Sequence, residues 1–312
     1  MLRFFAKRLG ILLFTMVVVS FLVFIVNEFS PGQVARKVLG PFATQHQVDL
    51  LTEQLGLNRP VMVRYVEWVG NVLQGDLGDS TLFKQPVNNI IWKRVAHTLI
   101  LASLAFAIIV PASIILGVAA GMREASSLDR TISLASIITT SIPEFASGVF
   151  LSSIFVIWLG MLPGTSPLER GDWSIASQLV LPVAVMVGYD LGYVVRMVRA
   201  SMADVMTRPY IRTAVLKGLT FREVIIKHAL RNAMIAPFTV ILLQLNYLVT
   251  GVVVVEAVYA YPGFGRMMVE AALAKDTAVL EAGAMFAVFI VVMTQIIGDL
   301  GYMMLNPRIR FG

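Results

Sequence analysis

The chain has 312 residues, 57% hydrophobic and 14% charged, where a soluble domain carries about a quarter charged residues. Too little polar surface remains to cover a water-exposed body, which excludes an ordinary soluble enzyme or nucleic-acid-binding domain. The net charge of +6, from 25 Lys+Arg against 19 Asp+Glu, is better explained by topology, because basic residues beside spans stay on the cytoplasmic side, and the absence of cysteine excludes disulfides, thiolate metal sites and a cysteine nucleophile.

Arg3, Lys7 and Arg8 precede a charge-free run from Leu9 to Asn27. The run is long for a signal peptide, and Glu28-Phe29-Ser30-Pro31 supplies no small-x-small cleavage site, so a retained first helix is expected from Leu9 to Val26. Residues 31–94 then form an outer segment. Val48, Leu51 and Leu55 recur at helical spacing and stop at Gly56. Asn58 is expected to cap a second helix with Pro60 in its first turn, and Met62, Tyr65, Val66, Val69 and Leu73 make its apolar stripe before Gly75. Two readings stay open for this pair: helices lying on the membrane or the bundle, and an extracytoplasmic docking surface.

Five further spans follow. The second runs from His97 to Gly121; the third from Thr131 to Gly160, broken by Pro143 and carrying Glu144. The fourth covers Ile175 to Val195 with Pro182 and Asp190 inside it. The fifth lies between Arg231 and Glu256 and the sixth between Glu281 and Met304. Gly117 with Gly121, and Gly188 with Gly192, put small residues one turn apart, which lets helix backbones approach closely. Packing within this chain is expected, with contact to another subunit as the alternative.

An even number of spans puts both termini on one side. The loop between spans four and five holds Arg196, Arg199, Arg208, Arg212, Lys217, Arg222, Lys227 and Arg231, and the tail holds Arg308 and Arg310. The short loops opposite carry only Arg170, Arg266 and Lys275. Both termini are therefore expected in the cytoplasm, the long outer segment being exempt from the charge count. The chain divides into a first helix (1–30), the outer segment (31–94), a five-span core (95–305) and a tail (306–312).

The loop from 200 to 232 reads as helix, tight turn, helix. Ile211, Ala214 and Val215 form an apolar strip among Arg212 and Lys217, and Gly218 stops the helix with Leu219 as the accompanying apolar contact. Thr220-Phe221-Arg222-Glu223 is a capping box, Thr220 accepting from the N–H of Glu223 and Glu223 bonding back. Such a pair lies on anionic lipid or is gripped and moved by a soluble partner. A lipid-bound loop has no need of a glycine turn held on both sides; a mechanical coupler does.

Tyr210-Ile211-Arg212-Thr213-Ala214, Lys217-Gly218-Leu219 and Lys227-His228-Ala229-Leu230-Arg231-Asn232-Ala233 resemble the coupling-loop signature of ATP-binding-cassette importer permeases, in the dipeptide, oligopeptide and nickel branch. Similar to that branch as well are Gln54-Leu55-Gly56-Leu57 with Pro60, Gly75-Asp76-Leu77-Gly78, Val254-Val255-Glu256 with Tyr261-Pro262-Gly263-Phe264-Gly265, and Asn306-Pro307-Arg308-Ile309-Arg310. The resemblance implies an all-α integral membrane protein of the type I importer permease fold, with six transmembrane helices in the bacterial inner membrane. It implies a non-catalytic subunit, partnered by a second homologous permease, two cytoplasmic ATPases and an extracytoplasmic substrate-binding protein. Tyr210, Ile211, Arg212, Ala214, Lys217 and Gly218 would couple to the ATPases. ATP and magnesium would belong to those partners, which fits the absence of a G-x-x-x-x-G-K-[ST] loop here. Peptides, nickel chelates, opines and glycoside-like solutes are all compatible with the branch.

Glu144 and Asp190 stand inside spans, where an acid costs about 2.5–3.5 kcal/mol on insertion scales and so faces a cavity or a partner. One reading ties them to hydroxyls, to Arg196 or to the sister subunit. The other has them line the translocation pathway and meet a cationic group. Acids at these two positions lie outside the family pattern. His46, His97 and His228 have no i, i+4 spacing, so no metal site is expected. Tyr261-Pro262-Gly263-Phe264-Gly265 reads as a tight turn with an aromatic anchor, ahead of a gate or a binding-protein contact. The sixteen methionines read as packing residues. The competing function is an ion-coupled secondary transporter using Glu144 and Asp190; an intramembrane hydrolase lacks any motif.

Overall fold

The protein is described by a computed structural model over residues 2–28, 39–40, 42–54, 56, 58–168, 172–250 and 252–305. Among these residues it is all-α: α1 (Leu2–Glu28), α2 (Gln45–Gln54), α3 (Val61–Leu73), α4 (Val87–Gly121), α5 (Ser127–Ser141) and α6 (Glu144–Ser152) come first. After them come α7 (Ile175–Met206), α8 (Pro209–Leu216), the composite helix α9 over 221–233, α10 (Ile235–Thr250), α11 (Val253–Val258), α12 (Phe264–Ala274) and α13 (Thr277–Leu305). The tail motif Asn306–Arg310, residues 29–38, Leu55 and Leu57 lie outside the described residues.

Five helical stretches are long and apolar enough to cross a bilayer: those over 8–26, 87–121, 175–206, 235–258 and 277–298. The bent pair α5 and α6 makes a sixth if it crosses as one. Two expected spans are longer than expected. α4 begins ten residues before His97 and α7 continues eleven beyond Val195. At 35 and 32 residues they reach about 50 Å, against a hydrocarbon core of about 30 Å, so their ends project into water. The third span is not a kinked rod. It turns by 95° between α5 and α6. Pro143 forces its predecessor out of the helical region, and Ile142 sits extended at φ −91°, ψ 123°.

The chain forms two compact units. In the first (Met1–Val95 and Met267–Val292), α3 packs on α1 through one side of its stripe. The Tyr65 and Ser20 hydroxyls share a hydrogen bond of 2.8 Å, and Phe21 and Phe24 meet the Tyr65 ring edge-on at 5.2 and 5.6 Å. Met62, Val66 and Leu73 of the same stripe remain exposed. α3 starts at Val61, later than an Asn58 cap requires: Pro60 occupies the capping position with extended ψ of 134° and no side-chain bond. Below it, the 75–86 turn is tied to the start of α13. Ser80 Oγ donates to the buried Asp276 at 2.6 Å, and the Leu82 N–H donates to the same oxygen at 2.9 Å.

The second unit (Ala96–Arg266 and Met293–Gly312) is built around α7. A Cβ on Gly121 would lie 2.6 Å from the Arg199 carbonyl, and one on Gly117 2.8 Å from the Val195 carbonyl. On another side of α7, a Cβ on Gly192 would lie 2.6 Å from the Ser136 carbonyl of α5. Three of the four paired glycines therefore pack within the chain, as expected. Gly188 does not; nothing lies within 4 Å of its would-be Cβ.

Gly121→Ala should thus lower the stability of the solubilised protein by about 1–3 kcal/mol through overpacking. Gly188→Ala should be neutral or gain up to about 1 kcal/mol of helix propensity. Thermal melting of the two variants in one detergent checks the contrast, and equal melting points would refute the close contact.

Candidate functional site

The elbow between α7 and α10 is assembled from both ends. α7 ends with Asp204 paired to Arg208 at 2.7 Å, and Pro209 opens α8, where a missing N–H costs nothing. Ile211 and Ala214 turn inward onto Met202 and Val205 of α7 and onto Val224, Ala229 and Ala233 of α9. Residues 224–229 are π-helical. In an α-helix, Val224 and Ala229 would stand roughly 140° apart; i→i+5 bonding brings both into this cluster, each fully buried. Val215, expected in the same strip, instead points outward and is half exposed.

Gly218 has φ +79°. No atom lies within 4 Å of its would-be Cβ, so conformation and not space demands glycine there. Leu219 follows, its N–H reaching the Ala214 carbonyl at 3.4 Å and its side chain packing on the cluster. The capping box is present with both reciprocal bonds. The Thr220 hydroxyl, and after it Lys227, holds the Glu223 carboxyl below its ordinary value. Asn232 donates to the Tyr210 hydroxyl and the His228 carbonyl, both at 3.1 Å. The outer face is left with Arg212, Lys217, Val215, Phe221, Ile226 and Leu216, the last 79% exposed.

Two ties to the elbow are not among the residues singled out from sequence. Arg199 of α7 grips Asp129, the buried first-turn acid of α5, through two bonds of 2.9 and 2.7 Å. Ser201 Oγ donates to the Ala233 carbonyl at 2.5 Å, clamping α7 to α9. Ser126-Ser127-Leu128-Asp129 is a helix-start pattern visible in the sequence, and Ser126 does cap α5.

In the same unit, α7 and α10 with Thr140 of α5 line an open cavity of about 410 Å³, whose other residues are Tyr189, Asp190, Tyr193, Arg196, Leu243, Gln244 and Tyr247. Asp190 is 1% exposed. Its Oδ1 accepts from Gln244, while Oδ2 has no partner. Glu144 bonds to the Tyr247 hydroxyl and is not itself in the lining. The structure thus brings the two acids to one region, close enough to interact with each other and with Tyr247. Neither forms an ion pair among the described residues, and Arg196 is bonded to neither. Gln244 and Tyr247 lie three apart on one face of a mainly apolar span that also holds Thr239 and Asn246, a signal the sequence carried.

The Tyr261–Gly265 segment is indeed a tight turn, but its aromatic is no surface anchor. Tyr261 is fully buried and donates to the His97 carbonyl at 2.6 Å. The buried Glu256 carboxylate accepts from the Thr98 hydroxyl at 2.5 Å and from the Arg266 N–H at 2.8 Å, capping α12. A side chain on Gly263 would collide with that carboxylate. Among the described residues, no group of three or more His, Asp or Glu can hold a metal ion.

Known proteins share this architecture. Residues 113–311 match the family described as binding-protein-dependent transport system inner membrane component, and residues 1–102 match its N-terminal companion. The chain is 35% identical over 320 residues to the glutathione transport system permease protein GsiC of Shigella flexneri, covering 100% of both chains. It is 33% identical over 298 residues to the oligopeptide transport system permease protein AppB of Bacillus subtilis, covering 94% of both. Among solved structures, the inward-facing MetNI methionine ABC transporter shares the fold at a TM-score of 0.52 and 21% identity, over 70% of this chain and 95% of that one.

Two outcomes follow from the caps. Glu256→Ala removes the acceptor of a buried hydroxyl and a buried N–H, at about 1–3 kcal/mol. Hydrogen exchange across 256–268 should accelerate, and exchange at the wild-type rate would contradict the clamp. Because the Glu223 carboxyl titrates below its unfolded value, its contribution is complete above the unfolded value and is lost as pH falls through the lowered one. Exchange protection of 221–224 should fall on acidification, and in Glu223→Gln that step should vanish.

Proposed function

The chain belongs to the family of binding-protein-dependent transport inner-membrane components, in its dipeptide and oligopeptide branch, and from that premise we propose how its parts divide the work of import. It is a permease subunit of an ATP-binding-cassette importer, a multi-pass protein of the inner membrane. The proposal is that it is non-catalytic, pairs with a second homologous permease, receives solute from a substrate-binding protein outside and is moved by two cytoplasmic ATPases that hold the ATP and magnesium. Both termini would face the cytoplasm, and residues 31–94 the outside.

The observation that carries this reading is the two-faced elbow. A soluble partner gripping the outer face, with Tyr210, Arg212 and Lys217 around exposed Leu216, holds a helix whose inner residues Ile211 and Ala214 are locked into α7 and α9 at once. Displacing α8 cannot be absorbed locally, because Gly218 and the capping box fix its far end. The motion passes to α7 and, through α9, to α10. Glu144 and Asp190 belong to the pathway between these helices, Asp190 on its wall and Glu144 holding Tyr247 from behind. A change in the side to which the pathway opens then requires contacts that differ between the two states.

With no cysteine in the chain, Leu216→Cys offers a single reactive position. In the assembled complex it should crosslink to an ATPase subunit, and Leu216→Asp should cut transport by at least tenfold while the permease still reaches the membrane. Crosslinking to lipid alone, or full transport by the purified chain in vesicles under an ion gradient and without ATPases, would favour the secondary-transporter reading instead.

A further inference from the structure

We propose that α3 is seated in the outer lipid leaflet, with Met62, Val66 and Leu73 turned into the acyl chains beneath the headgroups. The partner of this exposed surface is phospholipid and not a protein. The choice of the outer leaflet rests on the topology proposed above. The contact with lipid does not, because α3 follows the C-terminal end of α1 on whichever side that end emerges.

At about 100° per residue, the side chains of α3 sort into three sides. Tyr65 and Trp68 make the first, and both meet α1: Tyr65 shares a hydrogen bond with Ser20 and packs on Phe21 and Phe24, and the Trp68 ring lies 5.9 Å from Phe24. Arg64, Glu67 and Asn71 make the second. Arg64 is within electrostatic reach of Glu281 near the start of α13, and Glu67 pairs with Arg59 at 2.7 Å. Met62, Val66 and Leu73 make the third, roughly opposite Arg64 and Asn71, and are 60, 67 and 82% exposed. A helix lying in water on a protein turns its apolar side inward. Here the arginine turns toward α13 and the apolar stripe turns away from this unit, which is the arrangement a lipid surroundings demands.

Exposed apolar side chains alone do not name lipid; their depth does, and two spans set it independently. The charge-free run of α1 ends at Asn27, seven residues beyond Ser20, which puts the Tyr65 hydroxyl about 10 Å below the mouth of that span. Its longer contact with the Val17 carbonyl, at 3.4 Å, points deeper still. On α13, Glu281 is followed by a run without charge from Ala282 to Gly298, about 25 Å of helix, so Arg64 and Glu281 meet at the rim of the hydrocarbon. A helix with its arginine at the rim and a tyrosine hydroxyl about 10 Å below has its axis between the two, the depth of an interfacial helix. Trp92, exposed beside Phe286 of α13 at a ring distance of 5.8 Å, adds the aromatic expected near that level. Val18, Leu22 and Val26 of α1 are exposed over the same stretch, so the lipid-facing surface of the first span continues onto α3.

The chain has no cysteine, so Val66→Cys, Leu73→Cys and Asn71→Cys each carry one nitroxide label, all at exposed positions. The full transporter complex is placed in nanodiscs of phosphatidylethanolamine and phosphatidylglycerol. Electron paramagnetic resonance then compares collisions with oxygen, which concentrates in lipid, and with a water-soluble nickel chelate. The oxygen-to-nickel ratio should be several-fold higher at positions 66 and 73 than at 71. Nickel access at 66 and 73 equal to that at 71 overturns the proposal, because the stripe then faces water. Labels at 66 and 73 that are immobilised and shielded from both reagents also overturn it, because protein then covers the stripe. A membrane-impermeant maleimide applied to spheroplasts reports separately on the side: Asn71→Cys should react from outside. No reaction there, with the oxygen pattern intact, overturns the outer leaflet and the proposed topology together while leaving the lipid contact standing.

Discussion

The second unit depends on backbone-to-backbone approach along α7. Lipid supplies no hydrophobic force to draw helices together, so association in a membrane rests on packing and a few hydrogen bonds. Glycine lets α4 settle on the main chain of α7 at the Val195 and Arg199 carbonyls, and Gly192 lets α5 do the same from another side. A helix held this closely moves as a body or not at all. Side-chain packing alone leaves room for rotamers to yield; contact with carbonyl oxygens does not. The bidentate pair of Arg199, two turns before the end of α7, with Asp129 adds direction to that contact, because two bonds between planar groups fix orientation as well as distance.

The ionisable groups sort by how completely they are answered. Asp129 has a guanidinium, the Ala125 N–H and a serine; Glu256 has a hydroxyl and the Arg266 N–H at a helix start. Asp276, in the first unit, has Ser80 and two backbone donors. All three are structural devices that pin a loop to a helix end. Asp190 breaks the sequence of full satisfaction, and Glu144, answered only by a tyrosine that itself faces a cavity, stands between the two classes. An acid inside a span is costly, and on the proposed function the incomplete bonding at Asp190 marks a place where a partner completes it.

Much of this was legible from residues alone. Gly218 with Thr220 and Glu223 spelled out the elbow, since αL stops and capping boxes are local and depend on nothing distant. Glycine spacing placed three of four close contacts, and failed at Gly188 because spacing says which residues share a face and not what the face meets. Span ends were misjudged where helices leave the membrane: hydropathy ends at the lipid boundary, whereas the hydrogen-bonded helix of α4 and α7 carries on into water. The right-angle turn at Pro143 exceeded a kink because the residue before a proline is driven extended, which breaks the helix when no neighbour re-satisfies the freed carbonyls. Tyr261 misled for a related reason. An aromatic beside a proline turn looks like an interface anchor, and only the tertiary contact with His97 reveals that it is buried.

The cavity and the elbow share their walls, and that is the structural reason to treat them as one machine. Tyr189, Asp190, Tyr193 and Arg196 come from α7, and Leu243, Gln244 and Tyr247 from α10. These are the two helices whose ends the elbow joins, α7 directly through Arg208 and α10 through α9 and the turn at Met234. On the proposed reading, a displacement of α8 by a partner is felt where α7 and α10 face each other, at Asp190, Gln244 and Tyr247. On the proposed reading the coupling is reciprocal: a solute held better in one arrangement of α7 and α10 biases the elbow toward that arrangement by the same free energy. On the proposed reading, the unpaired carboxylate oxygen and the exposed Leu216 are two ends of one lever, each left unsatisfied by this chain because its partner arrives only in part of the cycle.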